Sequence, residues 1–190
     1  LGIEYYNLEM INLSQFPLLE KTEIVIVGGG TSGASAALAA AKESRDIILI
    51  EDFTKLGGTG TIGGINIYCY GYRDGFTNEL DKRVNQMTEK ISNEGETLRD
   101  YTTALCDYGD KWNIEVKALT YLQEILNNGG KIYFQSKAIG AITENNEVKG
   151  IIVLTPEGLR RIEAEVTIDA TGDGDIAVSA GAEYYTADPR

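Results

Sequence analysis

The chain has 190 residues, 43% hydrophobic and 24% charged, enough to bury one sizeable core and ordinary for a soluble globular protein. Its net charge of −12 argues against a surface built for nucleic acid or anionic membrane, which needs clustered Lys and Arg, and no apolar run reaches the about 20 residues that cross a bilayer. There is no histidine, and Cys69 and Cys106 stand far apart, so imidazole catalysis, a metal site and a disulfide scaffold are all disfavoured.

In chain order, residues 1–21 read as a mixed N-terminal arm, and residues 22–190 as one domain. Residues 23–27 are a continuous β-branched apolar run, the pattern of a strand buried on both faces of a parallel sheet. Residues 33–42 are small and alanine-rich, a helix pattern, and "DIILI" (46–50) is a second buried strand, giving a βαβ unit. A glycine-rich loop follows at 57–64, then the aromatic stretch "INIYCYGYRDGF". Helical spacing returns at 78–91 (Leu80, Val84, Met87, Ile91) and at 114–126, where Val116, Leu119, Leu122, Ile125 and Leu126 mark the apolar side, stopped by "NNGG". Four short strand patterns then follow, with turn signals at 144–146 and 156–158. The expected fold is α/β: a Rossmann-like parallel sheet with an antiparallel β-meander crossover whose last strand runs into "DATGDGD".

Gly28, Gly30 and Gly33 fit GxGxxG between a strand and a helix. The first glycine permits the turn, the second lets backbone approach a pyrophosphate, and the third lets helix and strand lie close, while the helix N-terminus offers free N–H groups to the anion. About twenty residues on, the second strand ends at Glu51, where an acidic side chain takes ribose hydroxyls and disfavours a 2′-phosphate, against the plainer reading of an exposed strand-end charge. These features together predict a bound dinucleotide other than NADP.

The stretches "VGGGTSGASAALAAA", "LIEDFTKLGGTGTIGG" and "EVTIDATGDGDIAVSAGAEYY" together resemble FAD-dependent oxidoreductases of the glutathione-reductase-like flavoprotein superfamily. The resemblance is nearest to the broad bacterial family described only by that activity, with distant kinship to the flavoproteins of heterodisulfide reductase and fumarate reductase, and it spans residues 22–185. It implies FAD as cofactor, with Gly28, Gly30, Ser32 and Gly33 around the pyrophosphate, Glu51 on the adenosine ribose, and Asp52 beside it. Gly57 and Gly58 match the paired glycines that follow the acidic residue, and Thr59, Gly60 and Thr61 continue toward the ribityl chain and flavin ring, with threonine hydroxyls to donate. Ala138 matches a position whose backbone meets adenine. In "IDATGD", Ala170, Gly172 and Asp173 lie where the last strand returns to the nucleotide, although Asp173 and Asp175 read equally well as a turn or helix cap.

Tyr70, Tyr72 and Arg73 are candidates to stack on or anchor a small-molecule substrate, and Cys69 is either redox-active or simply a small buried residue. No catalytic residue or metal ligand is assigned. Flavoproteins of this kind close the FAD pocket with a later segment, so the resemblance implies a domain incomplete at its C-terminus, completed by another segment or chain. The remaining readings are an NAD-binding Rossmann dehydrogenase, which leaves the second glycine loop and the meander unexplained, and a non-catalytic dinucleotide-binding module. A cytoplasmic location is expected.

Overall fold

The computed structural model describes residues 15–43, 45–68, 74–94 and 111–185. Strand β1 (Leu18–Val27) leads through helix α1 (Thr31–Lys42) to β2 (Ile47–Ile50), and the two strands pair in parallel, Val25 opposite Ile48 and Val27 opposite Ile50. A 3-10 turn (Gly58–Gly60) precedes helices α2 (Phe76–Glu94) and α3 (Ile114–Asn127). Strands β3 (Lys131–Tyr133), β4 (Lys137–Glu144), β5 (Glu147–Thr155) and β6 (Gly158–Asp169) follow, then the short helix α4 (Asp175–Ser179). The six strands form one sheet in the order β3-β2-β1-β6-β5-β4. Its β3, β2, β1 and β6 neighbours are parallel, whereas β4, β5 and β6 form an antiparallel meander, the α/β class expected from the sequence.

The apolar runs of β1 and β2 are continuous because both faces are covered. On one face Ile26, Ile47 and Leu49 pack with Ala34, Ala37, Leu38 and Ala41 of α1, Leu80 and Val84 of α2, and Val116, Tyr121 and Ile125 of α3. On the other, Val25, Val27, Ile48 and Ile50 join Ala141, Ile151, Val153 and Ile162 of the meander and Ile176 of α4. The hairpin between β4 and β5 turns on Asn145 and Asn146, both at positive φ (51° and 64°), as a two-residue turn between right-twisted strands requires.

Two details depart from the sequence reading. Strand β1 begins at Leu18 and not at residue 23, because Leu18, Glu20 and Lys21, in the stretch read as an arm packing on the main body, find partners in Arg161, Ile162 and Glu163 of β6. The buried side of α3 is rotated from the predicted one: Leu126 is exposed, and Lys117, Thr120 and Tyr121 are buried beside Val116 and Ile125. Periodicity scores apolar side chains, whereas this side of α3 accepts a tyrosine and a lysine whose polar ends bond Ser35 of α1 and Tyr68.

Candidate functional site

The tight turn from β1 into α1 sets the floor of a cleft. Gly28 has φ +92°, and its N–H donates to the Ile50 carbonyl at 2.8 Å. A Cβ on Gly33 would sit 1.7 Å from the Gly28 carbonyl oxygen, so only glycine lets α1 lie this close to the strand end. Gly30 differs: a Cβ there would meet nothing within 4 Å, so the space above it is open. It occupies the N-cap of α1 without a side-chain cap, and the first turn has no acidic residue. The first N–H groups of α1 and its positive dipole end therefore remain available to an anion.

Glu51 stands where β2 ends, only 7% exposed. Its carboxylate accepts from the Gly29 N–H at 2.5 Å and from the Phe53 N–H at 2.7 Å, so the buried charge is held by backbone. A Cβ on Gly29 would lie 2.8 Å from the Glu51 Oε2, which makes Gly29 a site residue that the GxGxxG spacing passes over; the signal was the middle glycine of the "GGG" run. The Glu51 N–H donates to the Tyr133 carbonyl, and the Glu51 carbonyl accepts from Ser136 N–H at 3.0 Å. These bonds fasten the β3–β4 connection beside Glu51, so Ser136, Lys137 and Ala138 line the same cleft. Asp52 lines it too, in an exposed pair with Lys137 at 3.3 Å.

The glycine loop forms the adjoining wall, stitched to the first turn. Gly57 N–H donates to the Gly29 carbonyl at 2.8 Å, and Thr31 Oγ1 donates to the Gly57 carbonyl at 3.0 Å. A Cβ on Gly58 would stand 2.9 Å from the Gly30 Cα, so the two loops meet backbone to backbone. Gly58 and Thr59 line the cleft. Gly57, Gly60 and Thr61 shape the loop from within instead: Thr61 is 2% exposed and its hydroxyl donates to the Leu56 carbonyl at 2.6 Å, while the Gly60 carbonyl accepts from Trp112 Nε1 at 2.7 Å.

At the end of β6, the Ala170 N–H donates to the Val27 carbonyl at 2.8 Å, which carries Ala170, Thr171, Gly172 and Asp175 to the cleft. Asp173 is not among its lining residues. The organiser of this turn is Asp169, a residue the sequence reading did not single out. Its carboxylate accepts from the N–H groups of Ile176 and Ala177 and from both the N–H and the hydroxyl of Thr171. Partial burial pushes its pKa up, but these four donors outweigh it and leave the group below the usual aspartate value. Asp169 thus caps α4, the role entertained for Asp173 and Asp175.

The cleft encloses about 730 Å³, within the range of small-molecule and cofactor sites. It brings together Gly28, Gly30, Ser32, Glu51, Asp52, Gly58, Thr59, Ala138, Ala170 and Gly172 of the residues predicted from sequence, and adds Thr31, Ser35, Phe53, Ser136, Lys137 and Thr171. Cys69, Tyr70, Tyr72, Arg73 and Cys106 lie outside the described residues.

Residues 23–190 match the family described as FAD dependent oxidoreductase. The chain belongs to that family. FAD is accordingly its cofactor. Among solved structures, the FAD-dependent oxidoreductase chain is similar to L-proline dehydrogenase from P. horikoshii (19% identity, TM-score 0.56, covering 88% of this chain and 58% of that one). It is also similar to THI4 from Thermovibrio ammonificans (17%, 0.55, 84% and 61%) and to a geranylgeranyl bacteriochlorophyll reductase-like protein from Thermoplasma acidophilum (19%, 0.54, 86% and 43%). These likenesses establish the shared fold, and the chain spans less than two thirds of each of those proteins. The described residues suit the cofactor: open space over Gly30, uncapped helix N–H groups for a pyrophosphate, and a buried carboxylate with lone pairs left for ribose hydroxyls. Among the described residues, no helix is long and apolar enough to cross a membrane.

Proposed function

We propose that this chain is the FAD-holding part of a flavin-dependent oxidoreductase of the glutathione-reductase-like superfamily, acting on a small-molecule substrate. The observation that carries the reading is the open space over Gly30 at the uncapped start of α1. A pyrophosphate there accepts from the first N–H groups of α1, with Ser32 beside it, and Glu51 takes the adenosine ribose through the lone pairs its two backbone bonds leave free. The backbone of Ala138 and the Phe53 ring, which lines the cleft and is 62% exposed, would hold the adenine. Gly58 and Thr59, which line the cleft, would face the flavin end.

When bound, the cofactor supplies hydride or electron transfer, and the chain supplies binding and orientation. Gly28 and Gly33 keep the helix start beside the strand end, and Asp169 keeps Ala170 and Gly172 at the cleft wall. Another segment or chain completes the pocket, in keeping with the 58% of the proline dehydrogenase that this chain spans. Purified protein titrated with FAD should turn yellow and quench flavin fluorescence at a stoichiometry of one. Denatured protein that releases NAD instead of flavin would overturn the reading.

A further inference from the structure

Lys117 lies in α3 with 1% of its surface exposed. Its ammonium stands 3.4 Å from the centroid of the Trp112 ring and 4.8 Å from that of Tyr68, and it donates to the Tyr68 hydroxyl at 3.1 Å. That hydroxyl donates in turn to Asp81 Oδ1, also at 3.1 Å. Among the described residues, two aromatic faces and a phenol hold this charge where a carboxylate would be expected. Trp112 is fixed from both sides: its backbone N–H donates to the Asn66 carbonyl, and its indole N–H to the Gly60 carbonyl. A Cβ on Gly60 would touch the indole at 3.6 Å, whereas Gly58, two residues earlier, abuts Gly30. The buried ammonium thus lies over the face of an indole whose edge meets Gly60, in the same loop whose Gly58 and Thr59 line the cleft.

Resting on the reading of the cleft given above, we propose that Lys117 is an electrostatic anchor for the cofactor's pyrophosphate, acting through the Trp112–Gly60 wall without touching the ligand. The cleft needs such a charge. Its described lining offers three carboxylates, Glu51, Asp52 and Asp175, and a single cation, Lys137, already paired with Asp52. Among the described residues of a chain of net charge −12, a dianionic ligand otherwise has the α1 N-terminus and the hydroxyls beside it. A buried charge is screened far less than a surface one, so its field crosses a thin wall of protein. Asp81 opposes it only in part, because it is reached through Tyr68 and is partly open to solvent.

Burial lowers the Lys117 pKa to about 8, with Asp81 pulling in the opposite direction. An anion across the wall favours the charged form, so binding near pH 8 to 9 must draw in a proton. The described titratable groups on the packed elements have partners of their own. Tyr121, bonded to Ser35 of α1, is pushed by burial above the ordinary phenol value, Glu79 of α2 is held by Lys42, and Arg83 of α2 by Glu124 of α3.

The test titrates the protein with FAD, with ADP as the charged fragment, and with adenosine as the neutral one, at pH 6.5 and 9.5. For the wild type, FAD and ADP should bind on the order of tenfold more weakly at the higher pH while adenosine stays unchanged. Lys117→Met should lose about as much for FAD and ADP at pH 6.5 and show no pH dependence, and Lys117→Arg should bind both pH-independently and tightly. Calorimetry in buffers of different ionisation enthalpy should register proton uptake near pH 8.5 for the wild type and none for Lys117→Met. The emission of Trp112, the single tryptophan of the chain, should titrate in the wild type and be flat in Lys117→Met, and an unshifted emission maximum in the variant shows that the indole is still buried. Equal ADP affinity in wild type and Lys117→Met, or equal losses for ADP and adenosine, would overturn the proposal. A wild type that binds adenosine but gains nothing from the diphosphate overturns it as well, and one that binds neither FAD nor ADP overturns the reading of the cleft itself.

Discussion

Gly30 and Gly33 lie three residues apart and should respond to the same substitution in opposite ways. Gly30 has φ −62° and ψ −166°, a conformation open to any residue, and its missing Cβ points into empty space. Gly30→Ala should therefore change the unfolding free energy by less than about 0.5 kcal/mol, while weakening FAD at least tenfold by filling the place of the pyrophosphate. At Gly33 the new Cβ would fall 1.7 Å from the Gly28 carbonyl, so Gly33→Ala should destabilise the fold by several kcal/mol, of order 3 or more, as denaturant titration will show. Lys117 carries a different residue-scale prediction. Its folded pKa of about 8 lies below the 10.5 of the unfolded chain, so unfolding takes up a proton between those values, and stability rises with pH across that window. Lys117→Met should be the more stable protein at pH 7, by up to about 3 kcal/mol, with the difference shrinking as pH rises from 8 toward 10.5. A charge that weakens the fold but strengthens an anion site is a familiar trade between stability and function.

At the scale of elements, α4 depends on one carboxylate. It has five residues and cannot form alone, yet Asp169 accepts the N–H groups of Ile176 and Ala177 while also gripping Thr171. Asp169→Asn should cost about 1–2 kcal/mol, read by thermal melts, and raise amide exchange across residues 170–179. The folded pKa of Asp169 is depressed, so its contribution is fully present above the unfolded value of 3.8 and is lost as pH falls through the folded value. The elements themselves were legible because each carries a local cause: alanines for α1, two positive-φ asparagines for the β4–β5 turn, continuous β-branched runs for β1 and β2. The buried side of α3 was not legible, since Lys117 and Tyr121 are inside only because Tyr68 and Ser35 meet their polar ends.

For the whole molecule, β6 is the member that makes one sheet from two patterns. Its first half pairs antiparallel with β5 and its second half parallel with β1, and Ile162 sits where both ladders overlap, opposite Ile151 and Glu20. Ile162 is completely buried, so Ile162→Ala should cost about 2–5 kcal/mol, and the parallel part and the meander should unfold in one shared transition by circular dichroism and by amide exchange.

By itself the sequence determined the α/β class, the order of strands and helices, the tight glycine turn at Gly28, Gly30 and Gly33, and the acidic strand end at Glu51, because these follow from periodicity, turn chemistry and short-range spacing. Only the tertiary structure decided what depends on contacts between distant segments. Leu18 to Lys21 became strand by finding β6. Gly29 joined the site by lying against Glu51. Thr61 turned inward to Leu56 while Gly58 and Thr59 faced the cleft. Lys117, an ordinary helix residue in the sequence, became a caged charge behind the glycine loop, because an indole and a phenol from two other stretches closed around it.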